Sequence, residues 1–294
     1  MKSVVIVMDC HGNEIIKYLK NNEHFIRDFN IHYISLNDYV VKDKLYYNNT
    51  KLEDNHITLI ETADILILQV IEKDRQYLNN CEVIKYCKKD CNIIKIPHYR
   101  NSIYEYKTLE NKIDKYDLIK NWDLPNKIKN IDNIIETKKI IQDEINKMNN
   151  LTYDKNNMLK SMKFKIDEFK DVDNLSDIIM LDYYNDNYDK QRLFMGRGYP
   201  SSIFFFELTN RLLLKLNYKS NDNFVDYYFA QNTSEPIPDY WYKFCNFSFD
   251  NKYYTYRNIE ITECEWYYIL LLSRNINITS TDENLKYLKK IRGD

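Results

Sequence analysis

Four consecutive residues, Asp9-Cys10-His11-Gly12, follow the first apolar run of the chain and bring three reactive side-chain types together. A cysteine at the start of a helix lies near backbone N–H groups and the positive end of the helix dipole, which favour a thiolate or another anion. A histidine there suits general-base work, because its ordinary pKa of about 6.5 lies near neutral pH. The segment therefore indicates a nucleophile, a base or an anion site. A buried apolar cysteine and a surface histidine are the alternatives.

Other polar residues follow two further apolar runs. Gln69 ends one run, and Arg75 comes six residues later. The planar guanidinium of Arg75 suits phosphate or carboxylate. His98 and Arg100 follow the second run, residues 91–97, and His98 is a candidate for a second base or a phosphate ligand. For Gln69 and His98 the alternative is a capping, packing or loop-bonding role, and for each arginine it is simple solvation.

The elements that must position these residues repeat as apolar strand, turn and amphipathic helix. Strands are expected over 3–8, 30–36, 63–69 and 91–97, and helices over 12–20, near 38–47 and over 75–87. Such alternation predicts a parallel sheet covered by helices on both faces. Ligands bind such sheets at the carboxyl ends of the strands, so the three polar strand ends are expected to converge.

Beyond Tyr104 the pattern changes to long helical segments with few strands, as the spacing of Ile131, Ile134 and Ile141 indicates. A loop is expected around 185–198, then an apolar helix over 201–216 that docks on the core, and a helical tail over 253–291. We therefore expect an α/β fold in one domain, 1–294. Its parallel core would span 1–105, and a mainly helical extension, 106–294, would pack on that core.

Composition excludes several classes of protein. The net charge of −2 comes from interleaved acids and bases, so no nucleic acid partner is expected. No run is apolar enough for an integral membrane segment, and the N-terminal run is too short for a secretion signal, which predicts a cytoplasmic protein of a cell or of an infected host cell. The six cysteines are sparse, so we expect no disulfides, and their spacing fits no zinc motif, so no metal is expected. Neither a Walker A motif nor a G-x-G-x-x-G motif occurs.

The polar segments together resemble the WcbI family of polysaccharide biosynthesis enzymes over roughly residues 3–216. Four stretches carry the resemblance: Val7-Met8-Asp9-Cys10-His11-Gly12; Ala63 to Gln69 with Arg75; Ile96-Pro97-His98-Tyr99 with Tyr104 and Tyr106; and Gln191 to Phe194 through Gly198-Tyr199-Pro200. Each motif is short, but their order and spacing agree with the family.

The resemblance implies an SGNH-hydrolase-like fold, coenzyme A binding, and acetyl transfer to a sugar destined for a surface glycan. It places Cys10 where such hydrolases keep a nucleophilic serine. Together with the chemistry of the residues themselves, this makes Asp9, Cys10, His11 and His98 the candidate catalytic residues. The candidate cofactor contacts are Gly12, Gln69, Arg75, Arg100, Arg197 and Tyr199, and the candidate sugar contacts are Tyr99, Tyr104 and Tyr106.

Two positions depart from the family pattern. His11 stands where the family has glutamine, and Tyr199 stands where it has the histidine of a His-Pro pair. If that histidine is the family's base, His11 or His98 must replace it. The Asp-x-x-His block of SGNH hydrolases is absent from the sequence, which disfavours plain ester hydrolysis.

The leading hypothesis is therefore transfer of acetyl from acetyl-CoA to an amino sugar, nucleotide-linked through UDP or dTDP. Direct transfer, with backbone N–H groups of Cys10 to Gly12 holding the thioester oxygen, and transfer through an acetyl-Cys10 intermediate both stay open. So do sugar O-acetylation or deacetylation, and a noncatalytic module that binds carbohydrate or a partner through its abundant tyrosines. Fusion to, or association with, another enzyme of a glycan pathway also stays open.

Overall fold

The computed structural model describes residues 1–39, 52–70, 80–99, 104, 127–128, 133–150, 154–196, 199–227, 234, 236–249, 254–256, 259–275, 288–289 and 292. In chain order the elements are β1 (Lys2–Met8), α1 (His11–Lys20), α2 (Glu23–Asp28), β2 (Phe29–Ser35), α3 (Asp54–Thr62), β3 (Ile65–Gln69), α4 (Asn80–Ile84), β4 (Asn92–Ile96), α5 (Ile134–Asn149), α6 (Lys155–Asn174), α7 (Leu181–Asn187), β5 (Phe194–Gly196), β6 (Tyr199–Pro200), α8 (Ser202–Lys215), α9 (Asp239–Cys245), β7 (Tyr254–Tyr256), β8 (Ile259–Ile261) and α10 (Glu263–Asn275).

The chain forms two compact units. The first comprises Met1–Asn101, Asp167–Asp186 and Gly198–Phe229, and the second comprises Ser102–Ile166, Asn187–Arg197 and Ala230–Asp294. The predicted boundary at residue 105 stays a prediction, and so does the single domain. The units are described separately below.

A four-stranded parallel sheet with the order β2-β1-β3-β4 organises the first unit. All four strands predicted from the sequence are confirmed, each within two residues of its expected bounds. β1 lies inside the sheet, and its run Val4 to Met8 is buried, as its unbroken apolar sequence requires. The α/β fold class is thereby confirmed.

Helices cover this sheet. The helix predicted after β1 is confirmed as α1, whereas α2 and α3 were not predicted. Under one face lies a core of apolar side chains from β1, β3 and their neighbours. Its buried members are Val5, Val7, Ile34, Leu36, Tyr39, Leu52, Ile60, Ala63, Leu66, Leu68 and Val83.

The predicted apolar helix is confirmed as α8, which packs against α1 within the first unit. The Tyr18 hydroxyl on α1 donates to the carbonyl oxygens of Ser202, at 3.0 Å, and Val225, at 2.9 Å. Tyr18 itself is fully buried. The first turn of α8 is therefore held beside the helix that carries Cys10 and His11.

The second unit contains the helical segment expected around Ile134, now α5, and its core joins α5 to α10. The prediction that the tail is helical throughout is wrong at its start, because β7 and β8 form an antiparallel hairpin in which Tyr254 pairs with Ile261. Tyr-Thr-Tyr consists of aromatic and β-branched residues, and Ile-Glu-Ile alternates apolar with polar; both patterns favour a strand. Of the described helices, none combines the length and apolarity needed to cross a membrane.

Candidate active site

Asp9 is the first residue beyond β1, and both neighbouring strands hold its backbone. Its N–H donates to the Oε1 of Gln69, the last residue of β3, at 2.8 Å. Its carbonyl oxygen accepts from the hydroxyl of Tyr33 on β2. Asp9 is only 6% exposed, so these bonds fix its position inside the protein.

The Asp9 carboxylate bridges two histidines. Its Oδ2 lies 3.1 Å from Nε2 of His98, which follows β4. Its Oδ1 accepts from the backbone N–H of His11 at 3.0 Å and lies 3.5 Å from Nδ1 of the same residue. Both rings are almost entirely buried. The structure thus brings together three strand ends that the sequence predicted to converge.

The environment of Asp9 favours its charged form. Burial alone would raise the pKa of this carboxyl, but the hydrogen bond from His98 and the positive charges that both histidines can carry outweigh burial, and the pKa lies well below its usual range. The carboxylate is therefore a permanent negative charge at neutral pH. Such a charge orients an imidazole and stabilises the imidazolium that forms when the ring takes up a proton.

Cys10 is the N-cap residue of α1 and lies beside Tyr199, whose hydroxyl donates to the Cys10 Sγ at 2.8 Å. The helix start predicts a stabilised thiolate, but the structure favours the thiol. Burial raises the pKa of Cys10, and the Tyr199 hydrogen bond lowers it by less than burial raises it. The nearby Asp9 carboxylate adds a smaller rise. Burial and the adjacent sulfur likewise raise the pKa of Tyr199 well above its usual range.

Rings on several sides enclose His11. Ring centroids lie 5.2 Å away for Tyr199, 5.4 Å for Phe205 and 5.7 Å for His98, each in an edge-on arrangement. Such contacts limit rotation of the imidazole. A base on this ring is consequently held in position by its neighbours.

Gln69 presents a buried donor at this edge of the sheet. Because the Asp9 N–H requires an acceptor, the amide oxygen of Gln69 must face Asp9, and Nε2 must point elsewhere. Gln69 is 1% exposed, and within the part of the chain that the structure describes its Nε2 has no hydrogen-bond partner. An unmade buried hydrogen bond costs about 1–3 kcal/mol, so a donor of this kind suits a ligand oxygen.

Gly12 packs closely against Tyr33, and the cofactor contact predicted for it stays a prediction. Its N–H donates to the Asp9 carbonyl oxygen at 3.0 Å, in the first turn of α1. A Cβ added at Gly12 would lie 2.4 Å from Cε2 of Tyr33 and 3.1 Å from Cβ of Met8. The backbone donors of His11 and Gly12 are therefore both used by Asp9, and the Gln69 amide is the better candidate to hold a substrate oxygen.

We expect Gly12→Ala to destabilise the protein despite the helix. Alanine would gain up to about 1 kcal/mol of helix propensity, whereas overpacking against the anchored Tyr33 ring costs about 1–3 kcal/mol. Urea denaturation measures the difference in the free energy of unfolding. In a Tyr33→Ala background the same change should be neutral or stabilising. A stabilised Gly12→Ala with Tyr33 in place would contradict the close approach.

The remaining predicted residues lie in different places. Tyr99 is buried in the first unit, where its ring stacks on Phe169 at 4.3 Å and its hydroxyl donates to Asp173, so this side chain packs in the interior. Tyr104 lies in the second unit, where its hydroxyl accepts from the Leu193 N–H at 2.7 Å. A sugar contact for either stays a prediction. Four predicted contacts lie outside the described residues: Arg75, Arg100, Tyr106 and Arg197.

Sequence reasoning missed Tyr33 and Phe205. Tyr33 lies in a strand whose alternation does not distinguish a site residue from a packing residue. One feature of the sequence indicates Tyr33 indirectly. The chain has only 4 glycines, and one of them directly follows Cys10 and His11. A glycine kept there indicates a close neighbour, and that neighbour is Tyr33.

Comparisons with known proteins bear on the fold. No family model matches the chain. No curated protein matches it either. One solved structure is similar: WcbI, described as a novel polysaccharide biosynthesis enzyme, in a native form without a disulfide bond between coenzyme A and one of its cysteines. The match has a TM-score of 0.65 and 13% identity, and it covers 100% of this chain and 95% of that one. The two proteins share a fold.

Proposed function

We propose that this protein is an acetyl-CoA-dependent N-acetyltransferase, acting on an amino sugar linked to UDP or dTDP in the synthesis of a surface glycan. One observation carries the proposal: a buried, ionised Asp9 holds two histidines beside Cys10 and Gln69 at the carboxyl edge of the sheet. The fold shared with a polysaccharide biosynthesis enzyme, whose solved form is described with reference to coenzyme A, supports the choice of donor and pathway.

A histidine ordered by Asp9 would act as the general base. His98 donates from Nε2 to the Asp9 carboxylate, so its neutral ring carries the accepting lone pair on Nδ1. His11 is the second candidate, with Nδ1 on the side of Asp9. A positioned base of this kind contributes about 10²–10⁴-fold to the rate.

The chemical step would join the amine nitrogen to the carbonyl carbon of the thioester. A C–N bond forms as the histidine takes a proton from the attacking nitrogen, and the C–S bond then breaks. The sulfur leaves with the bonding electron pair and accepts a proton, and free coenzyme A departs as a thiol. Before the C–S bond breaks, negative charge develops on the carbonyl oxygen, where Nε2 of Gln69 is the candidate donor.

The deciding experiment is acetyl-CoA-dependent release of the coenzyme A thiol with a panel of UDP- and dTDP-linked amino and neutral sugars, with products identified by mass. Release that requires an amino sugar, with a product heavier by one acetyl group, supports the proposal. Release only with neutral sugars would replace it with O-acetylation. No release with any acceptor would favour a deacetylase or a binding module.

We expect Cys10→Ala to retain most of the transfer activity, within about tenfold of the unsubstituted protein. The raised pKa of Cys10 keeps the sulfur in its weakly nucleophilic thiol form, which favours direct transfer. The rate of acetyl transfer and the mass of the intact protein after mixing with acetyl-CoA are the two readouts. Cys87→Ala, which changes another half-buried thiol, is the matched control. Loss of activity, together with an acetylated protein that disappears on replacement of Cys10, would establish the covalent route instead.

A further inference from the structure

Asp9, His11 and His98 also have the composition of a metal site. Each offers one ligand atom, and the three atoms lie within 4.8 Å of one another. Two imidazoles and one carboxylate are a donor set that proteins use for divalent zinc and other first-row metals, with further positions open. Among the residues that the structure describes, Asp9, His11 and His98 form the one group of three histidine, cysteine or carboxylate side chains whose ligand atoms lie this close together.

The spacing of the ligand atoms agrees with this chemistry. Zinc bonds to imidazole nitrogen and carboxylate oxygen measure about 2.0–2.2 Å, so two ligand atoms at a tetrahedral angle lie about 3.3–3.5 Å apart. Asp9 Oδ2 and His98 Nε2 are 3.1 Å apart, and Asp9 Oδ1 and His11 Nδ1 are 3.5 Å apart. These two edges use different oxygens of the same carboxylate, so an ion held by both histidines would bind both oxygens or would draw the two imidazoles toward one of them from their present separations of up to 4.8 Å.

Surrounding groups would support such a site. The His11 N–H donates to the Asp9 carboxylate, and Gln69 and Tyr33 fix the backbone of Asp9. Bonds of this kind orient the ligands of a metal and raise its affinity. All three residues are buried, and the Asp9 carboxylate would contribute a negatively charged oxygen ligand to a cation bound there.

We propose that Asp9, His11 and His98 bind one divalent transition-metal ion, and that the bound ion blocks acetyl transfer. Binding needs the lone pair of His98 Nε2, so the proton that this nitrogen donates to Asp9 in the metal-free protein moves to Nδ1, and the ring has no lone pair left. An imidazole whose lone pair is bound to metal takes no proton from a substrate. The blocking of transfer rests on the proposed function, whereas the binding of metal does not.

Calorimetric titration of the dialysed 294-residue protein with ZnCl₂ tests the binding. We expect one site per chain whose affinity falls at least tenfold in Asp9→Asn and in His98→Gln, with no change in His24→Gln, which replaces an exposed histidine on α2. Cys87→Ser/Cys91→Ser is a second control, because paired thiols also bind zinc. MgCl₂ should give no heat from this site, since imidazole is a poor ligand for magnesium.

A second measurement uses only the unsubstituted protein, so that it tests the site even if the variants do not fold. The visible absorption of Co²⁺ added to the unsubstituted protein should show a low-coordinate protein site, and one equivalent of Zn²⁺ should abolish the signal. Zinc affinity unchanged in folded Asp9→Asn and His98→Gln, or a Co²⁺ spectrum of the hydrated ion, would overturn the site. Metal binding without any transfer activity would overturn the proposed function alone. Transfer unaffected by saturating Zn²⁺ would overturn the block alone.

Discussion

Asp9→Asn should lower the rate of acetyl transfer by about 10²–10⁴-fold, the largest loss we expect from any single substitution. The asparagine amide is nearly isosteric, and its oxygen can still accept from the His11 N–H. Its NH₂ group would then face His98 Nε2 at the place where Oδ2 now accepts, which forces the opposite tautomer on the ring. Initial rates at saturating acetyl-CoA and acceptor measure the loss.

The control for this change is Asp171→Asn, which replaces an exposed carboxylate on α6 and should leave the rate unchanged. The pKa of Asp9 lies well below its usual range, so the carboxylate is ionised in the native protein at every pH above about 4. The loss should therefore be similar across the neutral range. A folded Asp9→Asn with the rate of the unsubstituted protein would show that neither histidine depends on Asp9.

Gln69→Glu should lower kcat by about 10²–10³-fold with little change in the KM for acetyl-CoA. Glutamate keeps the oxygen that accepts from the Asp9 N–H, but it replaces the buried Nε2 donor with a second acceptor. An oxygen that becomes negative in the transition state would then meet repulsion instead of a hydrogen bond. Steady-state kinetics over a range of acetyl-CoA concentrations separate the two parameters.

Gln69→Met is the companion variant, because it keeps the length of the side chain and removes both the acceptor and the donor. We expect it to lose activity to a similar degree and to lose stability as well, since the Asp9 N–H would be left buried and unpaired. Thermal melting separates the two effects. A Gln69→Glu protein within twofold of the normal kcat would exclude the amide as a donor to the reacting oxygen.

Strand ends were the most predictable part of the site. An unbroken β-branched run such as Val4 to Val7 indicates a strand buried on both faces, and parallel strands bring their carboxyl ends to one edge. The meeting of Asp9, Gln69 and His98 follows from those two facts and is confirmed. That Asp9 bridges two histidines was not predictable, because it depends on side-chain rotamers.

Contacts between residues far apart in the sequence were the least predictable. Tyr199 reaches Cys10 across 189 positions, and no periodicity in either segment reveals that their side chains touch. The sequence left the state of Cys10 open for the same reason, since its position at a helix start was visible and its burial beside Asp9 was not. The β7–β8 hairpin was missed because each strand is only 3 residues long.

The most direct test of the central claim compares the unsubstituted protein with Asp9→Asn on one matched pair of acceptors: a nucleotide-linked amino sugar and its hydroxyl counterpart. Mass spectrometry of the products after incubation with acetyl-CoA is the measurement. With the unsubstituted protein we expect acetylation of the amino sugar and none of its hydroxyl counterpart. With Asp9→Asn we expect at least a hundredfold less N-acetylated product. Equal product from the two proteins, or acetylation of the hydroxyl sugar alone, would contradict N-acetyl transfer centred on Asp9.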